Sequence, residues 1–446
     1  MRSLRKIAAL LLVFWLSSIS AAQDKALLKN EHKVGDGWHV ALDMKLTGKI
    51  KLRDAEKAVT LDLKATAQHD FEERVLTVTE GKPTSVGRFY NTAKADITLQ
   101  DKTINKTLRT DRRFQTALVS SDTPTVTYSP VGPLTDEELE LTGEHLDVLA
   151  IHGLLPNKEV SVGDKWEVPF NVAQALAGVD AVIKSKLECK FEKIERNHAI
   201  ITLTGDIEGI SKGSTLKATM AAGLVYSLEG KHFTGCTWCY RENTEQGPLN
   251  PAAEIESEIS ATWKHGLALN EVTDGKASTI PATPPPALLM LEFRDAASRF
   301  AFNYERNWGV VSKTEKQAVL RLLDRGELIA QMNLTPYQQV KPGEHATLDE
   351  VEKLISQAPG YKLDKVLEKT TVEASPGFWI GKVSTTGEAS ELPMQQIVYA
   401  IAGPRGDQVL LSVTVETEQA AKLAGKDLSL VRTVSLPTVQ TTGGNK

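Results

Sequence analysis

Two of the chain's three cysteines sit in Thr234-Gly-Cys-Thr-Trp-Cys-Tyr-Arg-Glu242, at Cys-x-x-Cys spacing. Such a pair does redox chemistry when it opens a helix, whose terminus lowers the pKa of the first thiol, and it binds metal when further ligands converge on it. The flanking pattern argues for neither. Cys236, Trp238 and Tyr240 continue the even-numbered apolar face of a pattern that runs through Leu224 and Leu228, whereas Thr237, Cys239 and Arg241 face the other way. Residues three apart on a strand point to opposite sides, so Cys236 and Cys239 are poorly placed to bond to each other or to clasp one ion. Cys189 lies between Leu187 and Phe191 with Glu188, Lys190 and Glu192 opposite, so it also faces inward. A Cys189–Cys236 disulfide is the expected pairing for an exported chain, with two simple buried thiols as the alternative.

Gly209-Ile-Ser-Lys-Gly213 matches the G-x-S-x-G pattern of a nucleophile elbow, with Ser211 as the nucleophile. An elbow requires a strand, a tight turn and then a helix. Here Leu216, Ala218, Met220, Leu224, Tyr226 and Leu228 keep one parity after the turn, so a second strand is expected and the motif reads as a hairpin loop. A serine hydrolase is therefore the third choice of function, behind two non-catalytic ones. Ser214-Thr-Leu-Lys217 fits Ser-x-x-Lys but lacks the accompanying Lys-Thr-Gly and Ser-Asp-Asn motifs. The nine histidines, at 32, 39, 69, 145, 152, 198, 232, 265 and 345, form no His-x-His or His-Glu-x-x-His pattern. His145 and His152 are seven apart on an expected helix, without a fixed carboxylate beside them. Glu254, Glu256 and Glu258 read as the wet side of a strand rather than a calcium loop. No catalytic residue, metal site or cofactor is expected.

The elements that carry these residues are mostly strands. Val40, Leu42, Met44 and Leu46 alternate with polar residues, as do Val59, Leu61, Leu63 and Ala65, and Ile255, Ile259, Ala261 and Trp263. This is the grammar of an antiparallel sheet with one buried face. One helix is expected from Thr135, where Thr135 and Glu138 make a capping box, to Gly153, with Leu139, Leu146, Leu149 and Ala150 on its apolar side. Val34-Gly-Asp-Gly-Trp-His-Val40 and Val162-Gly-Asp-Lys-Trp-Glu-Val168 both read VGDxWxV, either a duplicated half-domain or a turn and aromatic strand entry that arose twice. Asp274 to Ala287 carries four prolines and reads as an extended, semi-rigid spacer. Beyond it come a helix capped by Thr347 and Glu350, consecutive strands joined at Ser-Pro-Gly, Gly387 and Gly403–Gly406, and a helix over Thr417 to Ala424 ended by Gly425.

The expected fold class is α+β in two domains. Residues 24–272 form a large antiparallel β-rich domain, a curved sheet or half-barrel with one inserted helix. Residues 273–287 are the Pro-rich linker, 288–437 an α/β/α sandwich on an antiparallel sheet, and 438–446 a disordered tail. Residues 1–22 read as a signal peptide: Arg2, Arg5 and Lys6, an apolar run from Ile7 to Leu16, then Ser20-Ala-Ala22 as a cleavage site. The run is half the roughly 20 residues a spanning helix needs, and no transmembrane segment is expected after cleavage. The expected location is the periplasm or the extracellular space, with an uncleaved N-terminal anchor as the alternative. Cleavage deepens the formal net charge of −5 by three, and acids and bases are interspersed throughout, which argues against a nucleic-acid partner.

The run Phe302-Asn-Tyr-Glu-Arg-Asn-Trp308, the helix at Thr347, Gly377-Phe-Trp-Ile-Gly381, Tyr399 and Val434-Ser-Leu-Pro437 resemble, in that order, the PsbP-like and DcrB-like exported domains. That resemblance covers residues 290–437 and implies a non-enzymatic accessory or binding module with no catalytic residues to carry over. The β-rich first part is similar in architecture to the half-barrel of LolA-like and LolB-like lipoprotein carriers. The expected function is a non-catalytic exported binding protein of the cell envelope that holds a lipophilic or extended ligand on its first sheet. A scaffold or assembly factor that docks an envelope protein and carries no small molecule is the alternative.

Overall fold

The computed structural model describes residues 25–54, 57–119, 125–143, 146–281, 283–294 and 300–436. The expected signal peptide, the tail 438–446 and His145 lie outside the described residues. In chain order the first strands are β1 (Lys25–Leu28), β2 (Gly37–Asp54), β3 (Lys57–Thr79), β4 (Lys82–Leu99), β5 (Lys102–Thr107), β6 (Phe114–Leu118) and β7 (Val126–Tyr128). After them come β8 (Lys158–Ser161), β9 (Lys165–Glu167), β10 (Ala181–Ser185), β11 (Glu188–Glu195), β12 (His198–Ser211), β13 (Ser214–Ser227), β14 (His232–Thr244) and β15 (Ala252–His265). Helices α1 (Asp136–Gly143) and α2 (Phe170–Ala177) and a 3-10 turn at Ala150–Leu154 are inserted among them.

Thirteen of these strands make one sheet in the order β7-β6-β4-β3-β2-β15-β14-β13-β12-β11-β9, with β5 on β4 and β10 on β12; β1 pairs with β8 separately. Neighbours run antiparallel. The expected alternation is visible in burial: every second residue of β13 from Ser214 to Tyr226 is buried. In β2, Trp38, Val40, Leu42 and Met44 are buried. Side chains from α1, the 3-10 turn and α2, among them Leu141, Ile151, Leu154, Ala173 and Leu176, join the same apolar core and cover part of the inner face.

The inserted helix is shorter than expected, and it is followed by others. The capping box holds: Thr135 N–H donates to Glu138 Oε2 at 3.0 Å and Glu138 N–H to Thr135 Oγ1 at 3.2 Å. The helix nevertheless ends at Gly143. Asp147 then accepts from the N–H groups of Leu149 and Ala150 at 2.9 and 3.2 Å, and the new turn this starts carries the apolar residues read as the helix's continuation. A further helix, α2, stands at 170–177, where none was expected.

The two VGDxWxV stretches build the same turn. Gly35 and Gly163 take φ +93° and +95°. Asp36 Oδ2 accepts from Lys33 N–H and Asp164 Oδ2 from Ser161 N–H, both at 2.8 Å. Gly35 N–H donates to Val75 O and Gly163 N–H to Phe191 O. The likeness stops there, because β2 is a central strand of 18 residues and β9 an edge strand of 3. Trp38 is fully buried, whereas Trp166 is half-buried and donates to Leu154 O at 2.8 Å.

The Pro-rich segment does not run extended from its start. Thr273 caps a turn of helix, α3 (Asp274–Ala277), and Pro286–Leu289 forms another, α4. Its beginning and the three residues before it are strapped to the outer face of β3 and β4: Glu72 accepts from the N–H groups of Asn270, Glu271 and Val272, Arg74 pairs with Asp274, and Lys276 Nζ lies 5.3 Å from the Phe89 ring centre. No residue of either short helix is buried, in keeping with a composition that lacks large apolar side chains.

Beyond it, β16 (Leu291–Phe293) pairs with β17 (Phe302–Tyr304). A seven-stranded sheet follows in the order β18-β19-β20-β24-β23-β22-β21, from β18 (Trp308–Thr314), β19 (Gln317–Asp324), β20 (Glu327–Tyr337), β21 (Tyr361–Val372), β22 (Trp379–Ala389), β23 (Leu392–Ala402) and β24 (Gln408–Glu416). Helix α5 (Leu348–Ser356), with its expected capping box, packs Val351 and Ile355 against Tyr361, Val383, Val398 and Ala400. Leu423, Leu430 and Val431 join a separate core with Tyr399, Leu411 and Val413. Gly387 is not a turn but lies inside β22, where a Cβ would stand 2.6 Å from the Tyr361 ring; the turn is at Ser390 and Glu391, both at positive φ. The helix expected over Thr417 to Ala424 is a 3-10 helix, and Gly425 follows its end. Gly425 and Ala424 turn through left-handed conformations between this 3-10 segment, Thr417–Leu423, and α6 (Lys426–Val431).

Candidate functional site

The inner face of the large sheet extends further than its cover. β3 has 23 residues, which at about 3.3 Å each spans about 75 Å. Along β2 the buried run from Trp38 to Met44 continues in the same parity through Leu46, Ile50 and Leu52. Register places Ala65 beside Leu46, Leu63 beside Gly48, Leu61 beside Ile50 and Val59 beside Leu52. Ile97 and Leu99 of β4 sit next to Ala65 and Leu63, Ile104 of β5 sits opposite Ile97, and Ile255 of β15 lies on the other side of Gly48. All share one face. Leu52, Val59 and Ile104 are 41%, 42% and 53% exposed, and the others are half-buried or buried. On the opposite face stand Lys45, Lys49, Lys51, Asp62, Glu254 and Glu256, with ion pairs Lys51–Glu254 at 2.5 Å and Arg241–Glu256 at 2.9 Å. Helix α1 packs over β4 and β5, and the end of α2 reaches β14, where Tyr240 Oη donates to Ala177 O at 3.5 Å. Between them runs an apolar strip on β15, β2 and β3.

At its other end the same face is closed by aromatic rings. His32, Trp38 and His152 meet with ring centres 4.6 to 6.1 Å apart, Phe233 lies 5.9 Å from His152, and His265 lies 5.1 Å from Trp38 and stacks on His232 at 3.4 Å. Four of the nine scattered histidines therefore converge, a grouping with no local sequence signal. A cleft of about 270 Å³, lined by Glu31, His32, Asp36, Lys231, His232 and His265, opens beside them. Below this lies a buried ion pair: Arg88 Nε donates to Glu73 Oε2 at 2.5 Å, and Trp38 Nε1 donates to Glu73 Oε1 at 2.9 Å. Burial works against the Arg88 charge, but the adjoining carboxylate outweighs it and raises its pKa above the ordinary value.

The residues singled out by motif fall elsewhere. Ser211 and Ser214 face each other at the ends of β12 and β13 across Lys212-Gly213, both at positive φ, which is a two-residue hairpin and not an elbow. Cys236 is buried between Leu224 and Ala261, and Cys239 lies between Ala221 and Glu258, so the parity argument holds. All three cysteines are free thiols, and β12 and β13 stand between the strand of Cys189 and that of Cys236. Burial pushes the Cys189 and Cys236 thiols up to about 12. Among the described residues no three His, Cys, Asp or Glu side chains are grouped to hold a metal ion. No described helix is long and apolar enough to cross a membrane. A second cleft, about 310 Å³, is lined by His345, Phe378, Trp379 and Pro404, with His345 stacked on Trp379 at 3.7 Å.

No protein-family model matches the chain, and no curated protein matches it. Solved structures do. A protein from Bacteroides thetaiotaomicron is 13% identical over 33% of this chain and 48% of its own, about half its length, with a TM-score of 0.25. The cyanobacterial PsbP (CyanoP) of Synechocystis is 8% identical over 35% of this chain and 99% of its own, with a TM-score of 0.27. Lipovitellin, in a structure of its lipid–protein interactions, is 11% identical over 54% of this chain and 26% of its own, with a TM-score of 0.32.

Proposed function

We propose that this chain is a non-catalytic, exported binding protein of the cell envelope that holds a lipophilic, extended ligand along the apolar strip of its first sheet. In this reading residues 1–22 direct export, and residues 24–272 and 288–437 act as two domains, the first carrying the ligand and the second, PsbP-like, serving as an accessory unit. One observation carries it: the inner face keeps its apolar parity through Leu46, Ile50, Leu61 and Leu63, beyond the helices that cover it, while the other face is charged. A continuous apolar strip rimmed by polar residues is the mark of a binding surface, and apolar contact along it would be worth about 25 cal/mol per Å² buried.

The test is titration of the full chain with a fluorescent long-chain fatty acid, alongside native mass spectrometry of material purified from its own envelope. Wild type should bind. Leu63→Glu should weaken binding at least tenfold while leaving the thermal midpoint nearly unchanged. Leu367→Glu, at an exposed leucine of the second sheet, should bind as wild type does. Absence of binding by wild type, or equal binding by Leu63→Glu, overturns the reading.

A further inference from the structure

Four histidines from four separate segments close one end of the large sheet. His32 lies in the loop before β2, His152 in the 3-10 turn, His232 at the start of β14 and His265 at the end of β15. His152 is 4% exposed and His32 8%. Neither ring nitrogen of His152, nor Nε2 of His32, has a hydrogen-bond partner among the described residues. His232 Nδ1 is 2.7 Å from Gly230 O and His265 Nε2 is 3.3 Å from Phe233 O. Each segment reaches the others at this cluster through rings: His32 against His152 and Trp38, His152 against Phe233, and His265 against His232 and Trp38.

The charged groups that face this cluster offer little to an imidazolium. From the 29–36 loop come Asp36, whose Oδ2 is 3.9 Å from His32 Nδ1, Glu31, already bonded to Lys231 at 2.6 Å, and the cations Lys29 and Lys33. The β13–β14 hairpin brings Lys231, and His198 acts on His232 from β12. Glu73 under Trp38 is taken by Arg88 and by the indole. His39 bonds Ala268 O. A first proton would find one exposed carboxylate at a distance, and a second would add like charge inside the same packed cluster.

We propose that this end of the sheet is an acid-released latch: neutral imidazoles pack the four segments together, and protonation separates them. The proposal goes beyond ligand binding and stands whether or not the apolar strip holds one. Burial is the leading cause that lowers the basicity of all four rings, and His32 and His265 are lowered to about 4. These groups are depressed bases, so the packed state is fully favoured above pH 6.5 and loses ground as the pH falls from 6.5 towards 4. For His32 alone, a shift from 6.5 to about 4 raises the local opening constant about 20-fold at pH 5 relative to pH 7.

The experiment is hydrogen exchange with mass spectrometry on the full chain at pH 7.5 and pH 5.0, corrected for the intrinsic rate. Peptides over 29–38, 148–155, 227–234 and 262–268 should open at least tenfold more at pH 5.0, while those over β19 and β20 should hold their protection. His32→Gln should lose most of that response. His232→Gln, at a half-exposed ring, should fold and show a response that is also reduced. Unchanged protection of the four segments at pH 5.0, equal acid opening of both sheets, or a full response in both variants would overturn the latch.

Discussion

At Glu73 and Arg88 a buried charge pair also holds the indole of Trp38, so one carboxylate satisfies two donors that have no access to water. Removing one partner leaves an uncompensated charge, and Arg88→Leu should cost about 3–5 kcal/mol. Replacing both Glu73 and Arg88 with leucine should cost less than Arg88→Leu alone, a comparison that urea midpoints can make. The thiols give a second check at this scale. All three are free, and burial raises all three pKa values, with Glu258 and Glu256 adding to the effect at Cys239. The folded chain should therefore react slowly with Ellman's reagent, and the chain unfolded without reductant should yield three thiols; one thiol would instead show a disulfide, and peptide mapping would show whether it joins Cys189 to Cys236. Residue by residue, parity was readable because it is local: Cys236 in and Cys239 out follows from neighbours two positions away. Which strands stand between Cys189 and Cys236, and which histidines converge, depends on strand order, and no spacing in the chain encodes that.

Among elements, strands were legible and helix lengths were not. Alternation over Val40–Leu46 or Leu216–Leu228 admits one reading, whereas the apolar residues after Gly143 fit a continuing helix until Asp147 caps a new turn. The Pro-rich strap shows the same limit. Its composition signals that it joins no core, but the three N–H groups that Glu72 accepts from are invisible in sequence. Burial acts against the Glu72 carboxylate, and those three donors outweigh it and lower its pKa. Its share of stability is thus present above the ordinary carboxylate range and lost as the pH falls through it. Glu72→Gln should loosen residues 269–277 by about 1.5–3 kcal/mol, seen as faster proteolysis of that strap with the sheets intact. At the β12–β13 turn Gly213 has φ +79°, and a Cβ there would lie 2.7 Å from Gly326 O. Gly213→Ala should cost about 1–3 kcal/mol, whereas Ser211→Ala should stay within about 0.5 kcal/mol in the same thermal melts.

Across the whole molecule, polar contacts between the two large sheets and their neighbours stand beside the packing of Leu134 and Leu139 on the later core. Arg109 grips Glu138 through two bonds of 2.6 and 2.8 Å and reaches Glu292 at 2.8 Å. Arg306 donates to Thr127 O, and Arg321 donates to Pro248 O at 2.5 Å. Composition put a boundary near residue 273, and separate apolar cores lie on either side of it, with Leu134 of the earlier part packing in the later core. Arg109→Ala should remove about 2–3 kcal/mol of this coupling and split a single calorimetric transition into two.

The register of β2 has a consequence for how the chain is made. Val40 pairs with Trp263, about 220 residues further along, so the central seam of the large sheet joins the two ends of its own sequence. During synthesis β2 can pair with β3 at once, but its other edge stays open until β15 emerges. That leaves a long strand edge available to other chains throughout. Closing so distant a contact is slow, because loop entropy is spent before any pairing rewards it. Refolding should accordingly show a late phase in which the β2–β15 amides gain protection last. A chain stopped before residue 252 should aggregate through the edge that β15 would have covered.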